Sequence, residues 1–127
     1  MKHGILIVLL GLAGHVMAAT PAQMLAQLQA EAGGNASVER GKRLYHNKFG
    51  GPKADSCAAC HTDNPRDAGA HLRTHKRIEA LAPAVNPERF TDREKVEKWF
   101  KRNCNEVLSR ACTAQEKADF TAYVLSR

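Results

Sequence analysis

The sequence predicts an all-α fold of about four helices in one small domain, and three observations carry that prediction. Thr-initiated capping boxes open three segments. Apolar residues within the predicted helices recur at helical spacing. Nowhere does a run alternate with the period of two that a half-buried strand requires, and no internal repeat is present.

Residues 1–18 stand apart from that domain. In "MKHGILIVLLGLAGHVMAAT" an early Lys2 precedes an apolar run from Ile5 to Ala13, and small residues follow around Ala18. This is the layout of an export signal cleaved after Ala18 or Ala19, leaving a domain of residues 19–127. The apolar run is too short to span a bilayer.

"TPAQ" at Thr20–Gln23 opens the first helix, about Pro21 to Ala32, with proline at its first position and Gly33-Gly34 after its end. A second helix, Val38 to His46, starts after Ser37 and carries Leu44 and Tyr45. "NKFGGPKADS" is loop by composition. "TDRE" at Thr91–Glu94 opens a third helix, Asp92 to about Asn103, with Val96, Trp99, Phe100 and Asn103 on one stripe and Trp99 read as core. "TAQE" at Thr113–Glu116 opens the fourth, Ala114 to about Ser126, with Phe120, Tyr123 and Val124 on one face. The stretch between Thr62 and Phe90 has no sustained period, which is unusual in a compact domain unless it wraps a non-protein group.

The chain has 127 residues and a formal charge of +6, with Lys and Arg scattered rather than interleaved with aromatics. That pattern and the export signal argue against nucleic acid, while a basic surface suits an acidic protein partner. There is no Gly-rich phosphate loop and no nucleophile with a base at recognisable spacing, so a hydrolase or transferase is not indicated. A domain this small often needs a staple such as a cofactor or disulfide.

"CAACH", Cys57 to His61, supplies one. It is the attachment motif for a c-type haem: two thiols add to the porphyrin vinyl groups and the adjacent histidine binds the iron. A zinc ribbon would want a second close Cys pair, but Cys104 and Cys112 are eight positions apart. A thioredoxin-like pair would sit in an α/β pattern, which is absent.

The other axial ligand of an electron-transfer cytochrome c is usually methionine. None of the three methionines (Met1, Met17 and Met24) follows His61. The downstream candidates are His71, His75, Asn103, Asn105 and several lysines. Asn103 falls on the Val96–Trp99–Phe100 stripe, whereas Asn105 points elsewhere. Asn103 reads equally as a helix C-cap. In an exported domain Cys104 and Cys112 should pair, tying the neighbouring Asn103 down.

These residues resemble the Sphaeroides haem protein family, small periplasmic class I cytochromes c with asparagine as sixth ligand. The likeness is densest in "CAACH", "LAPAVNPERFTD", "VEKWF", "KRNCN", the cysteine at 112 and "EKAD". It implies a class I cytochrome c-like fold around one haem c held by Cys57 and Cys60. His61 would be the proximal ligand, Asn103 the distal ligand and Cys104–Cys112 a disulfide. It further implies an asparagine that leaves on reduction, admitting oxygen or nitric oxide, and a dihaem cytochrome c as electron donor. An amide oxygen is a hard donor, better matched to ferric than to ferrous iron, which agrees with such release. The sequence departs from the family at His75, where glycine is usual, and at Ala80, where proline is usual; Pro83 is then the expected proximal neighbour. His75 and His71 are alternative nitrogen ligands. Arg66, Arg73 and Lys76 are candidate partners of the haem propionates, the Trp99 indole N–H is another, and His46 reads as a surface residue.

Three functions compete on this reading. They are a redox-gated ligand-binding protein with oxygen- or nitric-oxide-reducing activity, a six-coordinate electron carrier, and a haem-stabilised binding module.

Overall fold

The computed structural model describes residues 17–127; most of the expected export signal lies outside the described residues. Four long helices form, as expected: α1 (Pro21–Ala32), α2 (Val38–His46), α4 (Arg93–Leu108) and α5 (Ala114–Leu125). A single-turn helix, α3 (Ala58–His61), and a two-stranded antiparallel hairpin, β1 (Gly69–Ala70) with β2 (Arg77–Ile78), were not anticipated. The hairpin pairs Gly69 with Ile78 and Ala70 with Arg77, too few residues to show a period in sequence.

Local chemistry starts each helix. Thr20 Oγ1 accepts from the Gln23 amide at 3.1 Å, and Gln23 Oε1 accepts from the Thr20 amide at 2.8 Å, closing the capping box of α1. Gly33 then ends that helix in the left-handed region at φ 70°, where glycine carries no side-chain penalty. Thr113 and Glu116 close the same box on α5. The expected box at Thr91 does not form. The cap of α4 is Asp92, whose carboxylate accepts from the Lys95 amide at 3.0 Å, while the Thr91 hydroxyl donates to the Glu88 carbonyl at 2.7 Å.

α5 packs against both α1 and α2 and is the element they share. Met24 and Leu28 of α1, Tyr45 of α2 and Ala118, Tyr123 and Val124 of α5 form one buried cluster with Leu81, Phe90, Val96, Phe100 and Cys104. The α2–α5 crossing is close enough that a Cβ at Gly41 would collide with the Asp119 carbonyl. The buried Asp119 carboxylate fixes this crossing, accepting from the Ser37 amide at 2.7 Å, Arg40 Nε at 2.7 Å and Gln115 Nε2 at 2.9 Å.

Among the described residues, the extensive helix–helix packing is that of α5 with α1 and α2, and α4 is not part of it. Side chains span the gap instead. Phe100 meets Phe120 edge-on at 5.6 Å, Lys117 Nζ reaches Glu97 at 2.6 Å, and Arg93 bonds Glu31 at 2.6 Å. Cys104 is joined to Cys112 with Cα atoms 5.6 Å apart, binding α4 to the segment that leads into α5. The buried stripe of α4 is Val96, Phe100, Cys104 and Val107. Trp99, read as core, lies off that stripe and is not buried by protein atoms.

Candidate haem site

The "CAACH" motif folds as one tight turn. The Cys57 carbonyl accepts from the Cys60 amide at 3.3 Å and the His61 amide at 3.1 Å, so both sulfurs and the imidazole stem from a single loop of backbone. The buried Ser56 hydroxyl accepts from the Ala59 amide at 3.1 Å and starts the turn. Its C-terminal end is held from α2: the Tyr45 hydroxyl lies 3.1 Å from the His61 carbonyl and 2.7 Å from that of Thr62, donating between them. Beneath it β1 passes so closely that a Cβ at Gly69 would collide with the Cys60 carbonyl. Glycine is therefore required there by space alone.

Burial sets the protonation of these groups. It pushes the Cys57 thiol up to about 11. Burial, with the Arg89 guanidinium adding to it, lowers the His61 imidazole to about 4. A neutral imidazole is the form that binds a metal. Burial also raises the Tyr45 phenol above its ordinary value, with the Cys57 thiol next in effect.

The segment after the motif encloses that side. The Leu81 and Ala82 amides donate to the Pro65 carbonyl at 3.0 and 2.9 Å. Arg89 straps the strand end, its Nε bonding the Ala80 carbonyl at 3.0 Å and its Nη2 that of Glu79 at 2.7 Å. Pro83 is half-buried in this segment.

The candidate residues for the opposite side are placed very differently. Asn103 is not a cap: α4 continues to Leu108 and ends at Ser109 in the left-handed region, because Cys104 and Val107 extend the buried stripe. The Asn103 side chain is half-buried beside that stripe and has no hydrogen-bond partner among the described residues. Asn105 is exposed, its amide donating to the Lys101 carbonyl at 2.6 Å. His75 is exposed at the hairpin tip with φ 55°, the conformation that glycine at this position would supply most easily. His71 Nδ1 accepts from the Arg73 and Thr74 amides at 3.3 and 3.2 Å, leaving only Nε2 uncommitted. Met24 is fully buried in the α1–α5 core. Arg66, Arg73 and Lys76 are all exposed. His46, read as a surface residue, is partly covered and bonded to Tyr123.

The donor set fits a covalent haem. Cys57 and Cys60 are unpaired on one turn beside a neutral histidine, while the other two cysteines are joined to each other. No group of three or more His, Cys, Asp or Glu residues able to hold a metal ion exists among the described residues. Sequence reasoning passed over Tyr45, Gly69 and Arg89 as parts of the site. Their partners lie far along the chain or are backbone carbonyls, which no local pattern signals.

Residues 31–124 match a family described as a domain of unknown function, DUF1924. The chain is 45% identical to cytochrome c-type protein SHP of Cereibacter sphaeroides, over 91% of this chain and 92% of that protein. It is 46% identical to cytochrome c'' of Methylophilus methylotrophus over 71% of this chain, a match spanning 64% of that protein. The structure of oxidised SHP, described as an oxygen-binding cytochrome c, superposes with a TM-score of 0.81 at 44% identity, covering 87% of this chain and 99% of that one. Oxidised cytochrome c'' from Methylophilus methylotrophus gives 0.73 at 37% identity, covering 84% of this chain and 93% of that one. With "CAACH" folded as a haem-attachment turn and "KRNCN" on α4, the chain belongs to the Sphaeroides haem protein family, as a monohaem c-type cytochrome carrying covalent haem c.

Proposed function

We propose that this is an exported, periplasmic cytochrome in which Asn103 is a distal ligand retained in the oxidised protein and released on reduction, admitting oxygen, nitric oxide or a similar small molecule. The observation that carries this reading is the Asn103 carboxamide itself, uncommitted in the interior of a helix whose neighbouring asparagine is tied to backbone. The haem supplies one-electron redox change and a coordination position for a small ligand. His61 grips from the proximal side, with its backbone fixed by Tyr45 and its ring kept neutral by burial. Asn103 would offer a hard amide oxygen, a donor better matched to ferric than to ferrous iron. The Cys104–Cys112 bridge beside it restricts how far α4 can shift when the ligand leaves.

Two relatives support the reading. SHP is described as an oxygen-binding cytochrome c, and the solution structure of cytochrome c'', 36% identical with a TM-score of 0.71, was analysed for haem-ligand detachment. The family resemblance makes a dihaem cytochrome c the proposed electron donor. No helix among the described residues is long and apolar enough to cross a membrane.

Ferric and ferrous absorption spectra of the wild type beside Asn103→Ala and His75→Gly variants test the proposal. Asn103→Ala should alter the ferric spectrum, His75→Gly should not, and the reduced wild type should bind carbon monoxide quickly and completely. An unchanged ferric spectrum in Asn103→Ala removes asparagine as the ligand.

A further inference from the structure

We propose that Tyr123 is a proton-coupled redox-active tyrosine, with His46 as its base and Tyr45 as its bridge to the proximal side of the haem site. The hydroxyl of the buried Tyr123 lies 3.1 Å from His46 Nε2. His46 Nδ1 faces the exposed Asp63 carboxylate at 3.8 Å, and the His46 side chain is 31% exposed. In the tautomer that carries its N–H on Nδ1, the side facing Asp63, His46 Nε2 accepts the phenol proton. The Tyr45 ring stands between Tyr123 and the haem-attachment turn, its centroid 5.4 Å from that of Tyr123 and its hydroxyl on the His61 carbonyl.

The pair has the parts that phenol oxidation needs. Removing an electron from a phenol makes it a strong acid, so a base already in hydrogen-bond contact lets electron and proton leave together. The Arg127 guanidinium lies 5.9 Å from the Tyr123 ring centroid, where its charge disfavours a positively charged ring. Proton loss to His46 removes that penalty, and Asp63 steadies the imidazolium. Tyr45 donates only to backbone carbonyls, which are not bases, so its ring conducts an electron without holding the radical.

The oxidant is hydrogen peroxide, and its arrival rests on the open distal position proposed above. Its O–O bond breaks and it becomes two water molecules, consuming two electrons and two solvent protons. The haem iron would supply one electron, passing from ferrous to ferric. The other comes from Tyr123 by way of Tyr45. The Tyr123 O–H bond breaks, its proton passes to His46 Nε2, and a neutral tyrosyl radical remains beside an imidazolium. The damaging second oxidising equivalent is thereby moved away from the haem, to a pair with an outlet to solvent.

The test uses the haem-loaded protein and photogenerated ruthenium(III) polypyridyl as oxidant, which bypasses the distal position, with radicals trapped by freezing and read by electron paramagnetic resonance. A tyrosyl signal should form in the wild type and vanish in Tyr123→Phe. His46→Gln should slow its formation by roughly 10²-fold, the usual contribution of a positioned base. Circular dichroism of each variant checks that the fold is retained. The chain has two tyrosines, so a signal surviving Tyr123→Phe belongs to Tyr45 and overturns the proposal, as does no signal in the wild type or no slowing in His46→Gln. In a second arm, reduced protein is mixed with peroxide and should give the same signal. Failure of that arm alone, with carbon monoxide binding intact, overturns the route to the haem; failure with carbon monoxide binding also lost faults the open distal site instead.

Discussion

Replacing Tyr45 with phenylalanine separates the ring of this residue from its hydroxyl. The ring contacts survive, at 6.0 Å to Phe120 and 5.4 Å to Tyr123. What is lost is the one donor shared by the His61 and Thr62 carbonyls, at 3.1 and 2.7 Å. Stranding partly buried acceptors costs about 1–3 kcal/mol. With a denaturant slope of about 1–3 kcal/mol per molar for a small domain, the urea midpoint should fall by on the order of 1 M at unchanged slope. pH supplies an independent check. Burial raises the folded phenol above its ordinary value of 10.0, so the folded protein binds the proton more tightly than the unfolded chain. That contribution is complete below about pH 10 and is lost as pH rises toward the folded value. The phenylalanine variant should lack this part of the alkaline decline. An unchanged urea midpoint, or an alkaline limb identical to the wild type, would refute the role given to the hydroxyl.

The close approach of β1 to the haem-attachment turn predicts that Gly69→Ala forces the hairpin off the Cys60 carbonyl, and the yield of covalently attached haem, read from the pyridine haemochrome, should drop. Yield equal to wild type would show that the turn tolerates displacement. The double substitution Cys104→Ser/Cys112→Ser opens a loop of sequence separation 8 and should cost about 2.5 kcal/mol in unfolding experiments. The reduced variant should also rebind its distal ligand more slowly on reoxidation, since α4 has lost its nearest anchor; stopped-flow traces matching the wild type would argue otherwise.

What was legible in the sequence followed from how local each signal is. Thr20 with Gln23 and Thr113 with Glu116 meet their partners within one helical turn, and both boxes form as read. Thr91 carries the same letters, but its hydroxyl is committed backwards to Glu88, so Asp92 takes the cap. The sequence suggests an end of α4 near Asn103, a residue that also suits a C-cap. The helix instead continues through Cys104 and Val107, whose burial outweighs that local preference. The hairpin pairs only two residues on each side, too few to show alternation, and the close approach of Gly69 to the Cys60 carbonyl is a tertiary constraint that no local pattern carries. The haem-attachment residues were plain, since their spacing is covalent chemistry written in sequence order. The clamp of Tyr45 on residues sixteen and seventeen positions away was not, because nothing local encodes it.

The most direct measurement of the central claim is a pair of crystal structures of the haem-loaded protein, one oxidised and one reduced with dithionite under anaerobic conditions. Asn103 Oδ1 is expected on the iron in the first and clear of it in the second, with His61 in place in both. Asn103 bound in the reduced crystal, or a histidine nitrogen on the distal side in either, would contradict it.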